Sequence, residues 1–141
     1  MIISARVHYS CLALYELAIR RHESSPVTAH EISDRHGIPG PFLNQILRSL
    51  RRTGWVQSSR GSQGGYRLLV EPESITLLDI ADELGCQESH DHGDSSATQA
   101  NDVLQTTWAS AAESARAVLA KTTLADLVEQ CRASDASMYF I

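Results

Sequence analysis

The sequence contains no run of about 18 apolar residues, so no membrane-spanning helix is expected. Its opening, MIISARVHYS, lacks the charged start, long apolar stretch and small-residue cleavage site of a secretory leader. A cytoplasmic location is therefore expected. Cysteine is scarce: Cys11, Cys86 and Cys131 are too few and too scattered for a disulfide framework, so the thiols are expected to be free or ligating. The glycine-rich RGSQGG lacks the GxxxxGK[ST] pattern and the Rossmann spacing, which argues against a nucleotide loop. No HExxH pair and no internal repeat is present. At 141 residues the chain fits one domain, or a small domain with a dimerising extension, and is too short for a large multi-domain enzyme.

Hydrophobic residues make up 43%, enough for a core, and the formal net charge is -5. Taken whole, that charge points away from nucleic acid. It is unevenly spread. Residues 1–70 carry nine Arg and four acids, a net of +5, and residues 71–141 carry three basic residues and thirteen acids, a net of -10.

Helical spacing of Val7, Cys11, Leu14, Tyr15 and Ala18 predicts a first helix from about Ser4 to His22. Thr28 and Glu31 have capping-box spacing for a second helix, and Gly37 sits where it would end. A third helix is expected from Gly40 or Pro41, with Phe42, Leu43, Ile46, Leu47 and Leu50 apolar and Thr53-Gly54 ending it. Residues 55–58 and 66–69 read as two short strands around a turn with three Gly in five residues. Thr76 and Asp79 would cap a short helix over 77–84. Residues 86–96 are polar, acidic and aperiodic, hence a loop. A long Ala-rich helix is expected over about 101–121, and a last short one over 124–130 opened by Thr123 and Asp126. The stripe Leu104, Trp108, Ala111 or Ala112, Ala115, and Val118 or Leu119 comes late in a small domain with little core left to cover it, and is a candidate dimer face, with Ala112 and Leu119 preferred.

Helix, helix, tight turn, helix and glycine-tipped ribbon form the order of a winged helix-turn-helix. The expected fold is mostly α with a small two-stranded β wing and a long C-terminal dimerisation helix. In such a fold the first turn of the third helix enters the major groove. Asn44 and Gln45 lie near that start, and their amides can read adenine edges. Arg48, Arg51 and Arg52 lie further along and suit phosphate contact. Arg60, Gly61 and Gly64 form a slim basic wing tip that suits the minor groove. The plainer reading is that these arginines are merely solvated. The basic first half favours DNA.

The segments ARVHYSCLALYELA, ISDRHGIPGPFLNQILRSLRRTGWVQSSRGSQGGYRL and ITLLDIADEL…TLADLVEQC resemble one family of bacterial winged-helix transcription regulators. It includes the iron–sulfur cluster regulator, the nitric-oxide-sensitive repressor and the cysteine-metabolism repressor. The resemblance spans nearly the whole chain, is most specific over residues 37–69 and weakest in the middle loop. It implies homodimers on pseudo-palindromic promoter DNA, with Pro41, Phe42, Asn44 and Gln45 where relatives contact bases and Arg60 on their minor-groove arginine. Relatives often have a small or hydroxyl residue at Pro41, so the operator is expected to differ. Cluster-binding members carry three Cys, or Cys with His or an acid, before the long helix. This chain keeps only Cys86; Asp102 and Gln105 stand at the later ligand positions. Some members use the partner's first helix, where His8 or Cys11 would serve.

From the residues alone, Cys86, His90 and His92 lie within seven residues and are natural ligand types, but their spacing matches no strong motif. Three readings stay open: an idle polar loop, a metal or iron–sulfur site, and a redox thiol at Cys86. No cofactor is required for the fold, and a cluster or transition metal is not the favoured reading. The expected organisation is a DNA-binding domain over 1–84 whose first helix joins the dimer core, an acidic Cys/His loop over 85–100 as candidate sensor, and a dimerisation helix and tail over 101–141. The expected function is a non-enzymatic, dimeric DNA-binding regulator, a repressor by preference. The alternatives are a metal-, cluster- or redox-responsive regulator, a protein-interaction module that uses the fold without DNA, and a small metalloenzyme on Cys86, His90 and His92.

Overall fold

The computed structural model describes residues 3–85 and 98–138. Six α-helices and one hairpin are found among them: α1 (Ala5–Ile19), α2 (Ala29–His36), α3 (Gly40–Arg52), β1 (Val56–Ser59), β2 (Gly65–Leu68), α4 (Leu77–Leu84), α5 (Gln99–Ala120) and α6 (Leu124–Met138). A 3-10 turn (Pro72–Ser74) leads into α4. The core is built by α1, α2, α3 and α4, with Leu14, Leu17, Ile32, Leu43, Ile46, Leu47, Leu50 and Ile80 fully buried. Leu124 of α6 joins them.

Local chemistry sets the helix ends. Ser4 accepts the Val7 N–H at 3.2 Å and starts α1. That helix stops three residues before the expected His22. Arg20 leaves helical geometry, and its guanidinium reaches Glu23 at 2.8 Å and Glu31 at 3.3 Å. Thr28 and Glu31 form the expected capping box on α2. The Thr28 N–H, first, holds the Glu31 carboxylate below the usual range. Gly37 closes α2 in the left-handed region at φ 65°, as its position predicts. Thr76 and Asp79 cap α4 in the same way. The strands sit one residue off their expected places: Val56 pairs with Leu68 and Ser59 with Gly65, leaving Arg60–Gly64 as the turn.

The C-terminal part shows a larger difference. Thr123 and Asp126 do open α6. The helix then runs on to Met138 rather than stopping near Gln130. Ser134, Asp135 and Ser137, read as an irregular tail, are taken into the helix. Ser137 is accommodated by donating its hydroxyl to the Ala133 carbonyl at 3.0 Å. The packed part of α6 ends near Cys131, and residues 132–137 are exposed, so the added turns continue the helix beyond its contact with the body.

One ionic contact fixes α2 on α1. The Glu16 carboxylate of α1 has a fully buried side chain, 3.0 Å from Arg35 Nε and 3.5 Å from His36 Nε2. Neither carboxylate oxygen completes a hydrogen bond, so the compensation is chiefly coulombic. Arg35→Met strands a buried carboxylate and is expected to cost about 3 kcal/mol. The double variant E16M/R35M should recover most of that loss in urea unfolding. An equal loss in both variants would remove charge as the cause.

Candidate nucleic-acid interface

The third helix separates its residues by face. Leu43, Ile46, Leu47 and Leu50 point into the core, while Pro41, Asn44, Gln45, Arg48, Arg51 and Arg52 are exposed. Pro41 occupies the first turn, where its missing N–H costs nothing. Phe42 is half-buried and packs edge-on to Tyr9 at 5.6 Å. Of the candidate base contacts, it alone is tied into the body of the fold in this way.

The wing leaves the end of α3. Arg60 is exposed, and the Gly64 N–H donates to the Gly61 carbonyl at 3.0 Å to close the tip. The ribbon is anchored on its far side. The Val27 N–H donates to the Tyr66 carbonyl at 3.0 Å, and the Tyr66 N–H donates to the Val27 carbonyl at 2.7 Å. Gly65 permits this approach, since a Cβ there would meet the Val27 carbonyl oxygen at 2.6 Å. A Cβ at Gly64 would collide with the Ser59 carbonyl oxygen. Arg67 ties the wing to the loop after α1 by donating to the carbonyls of Glu23 and Ser24 at 2.8 and 2.5 Å.

The nine arginines of the basic half therefore divide into two groups. Arg6 donates to the Leu84 carbonyl at 3.0 Å and the Ser49 hydroxyl at 2.6 Å, joining α1, α4 and α3. Arg20, Arg21 and Arg35 meet carboxylates, and Arg67 meets carbonyls. Arg48, Arg51, Arg52 and Arg60 remain on the α3–wing side, with no carboxylate within 4.0 Å among the described residues. Arg51 donates to the Ser58 hydroxyl of β1 at 3.1 Å. The sequence singled out all four of these residues. It did not distinguish the other five, whose partners are mostly distant in the chain. Ser58 and Tyr66 were also missed; only their pairing across the hairpin places them beside α3.

The α5 helix has no buried residue. Leu104 and Trp108 are exposed, whereas Ala112, Ala115 and Leu119 are half-buried. Val118, the alternative to Leu119 in the expected stripe, is also exposed, as is Val103 outside it. Arg116 holds α5 to α4 through a two-pronged pair with Asp82 at 3.0 and 3.2 Å.

Of the candidate sensor residues, Cys86, His90 and His92 lie outside the described residues. His8 is exposed on α1 beside Tyr9, at 5.9 Å between ring centroids. Cys11, one turn on, is half-buried, and burial pushes its thiol up to about 11 from the ordinary 9.0. Asp102 is exposed at the start of α5 and Gln105 is exposed one turn later. No group of three or more His, Cys, Asp or Glu among the described residues could hold a metal. Because the folded state holds the Cys11 proton more tightly than the unfolded chain, its contribution to stability is intact below about pH 9. It is lost as pH rises to about 11. Urea midpoints of wild type and Cys11→Ala should converge or cross over that window. A pH-independent difference between them would contradict the raised thiol.

Comparison with known proteins agrees with this geometry. Residues 3–130 match the model of the Rrf2 family, described as an iron-dependent transcriptional regulator. The protein Rrf2 of Nitratidesulfovibrio vulgaris is 30% identical over 132 residues, covering 91% of this chain and 87% of that protein. The structure of T. potens IscR superposes with a TM-score of 0.76 at 34% identity, covering 93% of this chain and 88% of that one. CymR, the global cysteine regulator of B. subtilis, gives 0.74 at 29% identity, covering 92% and 98%. These are winged-helix proteins of a regulatory rather than a catalytic family. A chain with this fold and a family match over residues 3–130 belongs to the Rrf2 family of transcriptional regulators.

Proposed function

We propose that the protein is a dimeric repressor of double-stranded promoter DNA. The third helix enters the major groove, where Pro41, Asn44 and Gln45 face base edges and Phe42 packs at the entry. Arg48, Arg51 and Arg52 meet phosphates, and Arg60 with Gly61 and Gly64 enters the minor groove. The observation that carries this reading is the separation of the arginines. Five serve the fold, while four on one side have no acid to neutralise them among the described residues. A protein-interaction module with a neutral partner has no need of a basic side of this kind.

Homodimerisation is supported by the exposed apolar residues of α5. Trp108 is 53% exposed and Leu104 48%, on a helix with no fully buried residue in the single chain. Acting by occupancy alone, such a dimer would block a promoter. The family's iron dependence finds no support in the described residues, because His8 stands on an open surface and the Cys11 thiol resists becoming a thiolate. No step is assigned to iron here.

Arg60→Ala is expected to lower affinity for a selected operator far more than for random duplex. Arg52→Ala should weaken both alike and reduce the salt slope by about 0.9. Salt-titrated gel shifts measure both, and unchanged binding in the two variants would reject the DNA assignment. Trp108→Asp should give a monomer in sedimentation and at least a tenfold loss of operator affinity. A variant that stays dimeric would take Trp108 out of the interface.

A further inference from the structure

The exposed side of α3 and the ribbon enclose a concavity of about 300 Å³, lined by Asn44, Leu47, Arg48, Arg51 and Tyr66. Four of these residues form one stripe of α3 at helical spacing, with Arg48 and Arg51 one turn apart and so neighbours on the surface. Like charges at that separation repel, and no carboxylate among the described residues stands within 4.0 Å of either. Both nevertheless face the same small space. The opposite wall is fixed. Tyr66 is held through its backbone by Val27 on one side and is paired in register with Ser58 on the other. Ser58 in turn accepts a hydrogen bond from Arg51 at 3.1 Å, which restrains that guanidinium at the seam between helix and wing.

We infer that this concavity seats a single phosphate diester of the duplex, shared by Arg48 and Arg51 against the Tyr66 wall. This deepens the DNA-binding reading and rests on it. A shared anion relieves the repulsion between the two guanidiniums, which separate phosphates would leave in place. It also makes contact with α3 and the ribbon at once. One phosphate then fixes the wing relative to the recognition helix, and Tyr66 becomes part of the DNA face.

The distinction from independent contacts is countable. Each neutralised phosphate contributes about 0.9 to the slope of log affinity against log salt. If the two arginines share one phosphate, R48A/R51A lowers the slope by about 0.9, as one neutralised site; two separate phosphates would give about twice that. The full-length protein is titrated on a duplex selected from a random library. A scan replacing one phosphate at a time with methylphosphonate should find one position per half-site where R48A, R51A and the double variant lose nothing further. Tyr66→Phe and Tyr66→Ala report the wall: at least one should weaken binding to the unmodified duplex and have no effect on the modified one. Additive slope losses, two scan positions assigned separately to Arg48 and Arg51, or Tyr66 variants that bind as wild type would overturn the shared seat while leaving DNA binding intact. Failure of the wild-type protein to select or bind any duplex would instead reject the DNA reading itself.

Discussion

The placement of the helix-turn-helix depends on a negative charge inside the protein. Glu16 lies within α1, sealed from water, and among the described residues its charge is met by Arg35, with the His36 ring beside it at the end of α2. A buried carboxylate without a nearby cation is costly, so α2 can dock in few ways other than with its last turn over Glu16. The end of α2 is also where the chain turns through Gly37 towards α3. The same contact that satisfies the charge therefore sets the origin of the helix proposed to meet DNA. Apolar packing alone is less directional and would tolerate rotation of α2 about its axis more easily.

The arrangement of charge follows the same logic across the basic half. Arg6 spans α1, α3 and α4, Arg20 closes the α1 end, Arg21 meets Glu71 at 2.6 Å, and Arg67 fastens the ribbon. These arginines act as ties inside the domain. What remains available to a partner is a smaller, localised group on α3 and the wing. The net charge of the segment thus overstates what is open to an anion, because Arg21 is neutralised by Glu71 of the acidic half and Arg6 and Arg67 are occupied by carbonyls.

Features legible in the sequence were those whose cause is local. The three Thr-acid caps, the left-handed Gly37, Pro41 in the first turn and the glycine-tipped hairpin depend on residues a few positions apart, and each lies where spacing placed it, the hairpin strands to within one residue. Features that depend on distant partners were not legible. Nothing around Glu16 identifies it as buried rather than solvated, since its partners lie nineteen and twenty positions on. Arg6 pairs across 78 residues with Leu84. The length of α6 is misjudged for a different reason: Ser and Asp weaken a helix locally, yet the helix anchored by Leu124 propagates through them although residues 132–137 are exposed. The exposed polar residues of α3 were easier to find because the helix separates Leu and Ile from polar positions so cleanly. Their relation to Tyr66 needed the hairpin register.

The wing glycines bear on how such a protein changes over generations. Side chains cannot be added at Gly64 or Gly65 without striking the backbone of Ser59 or Val27, so the course of the ribbon tip tolerates little variation. Pro41, Asn44 and Gln45, by contrast, are exposed, and none of their side chains is built into the core. With α3 reading DNA as proposed, gene duplicates of this protein would acquire new promoter preferences by exchanging side chains on α3, while both copies inherit the same wing.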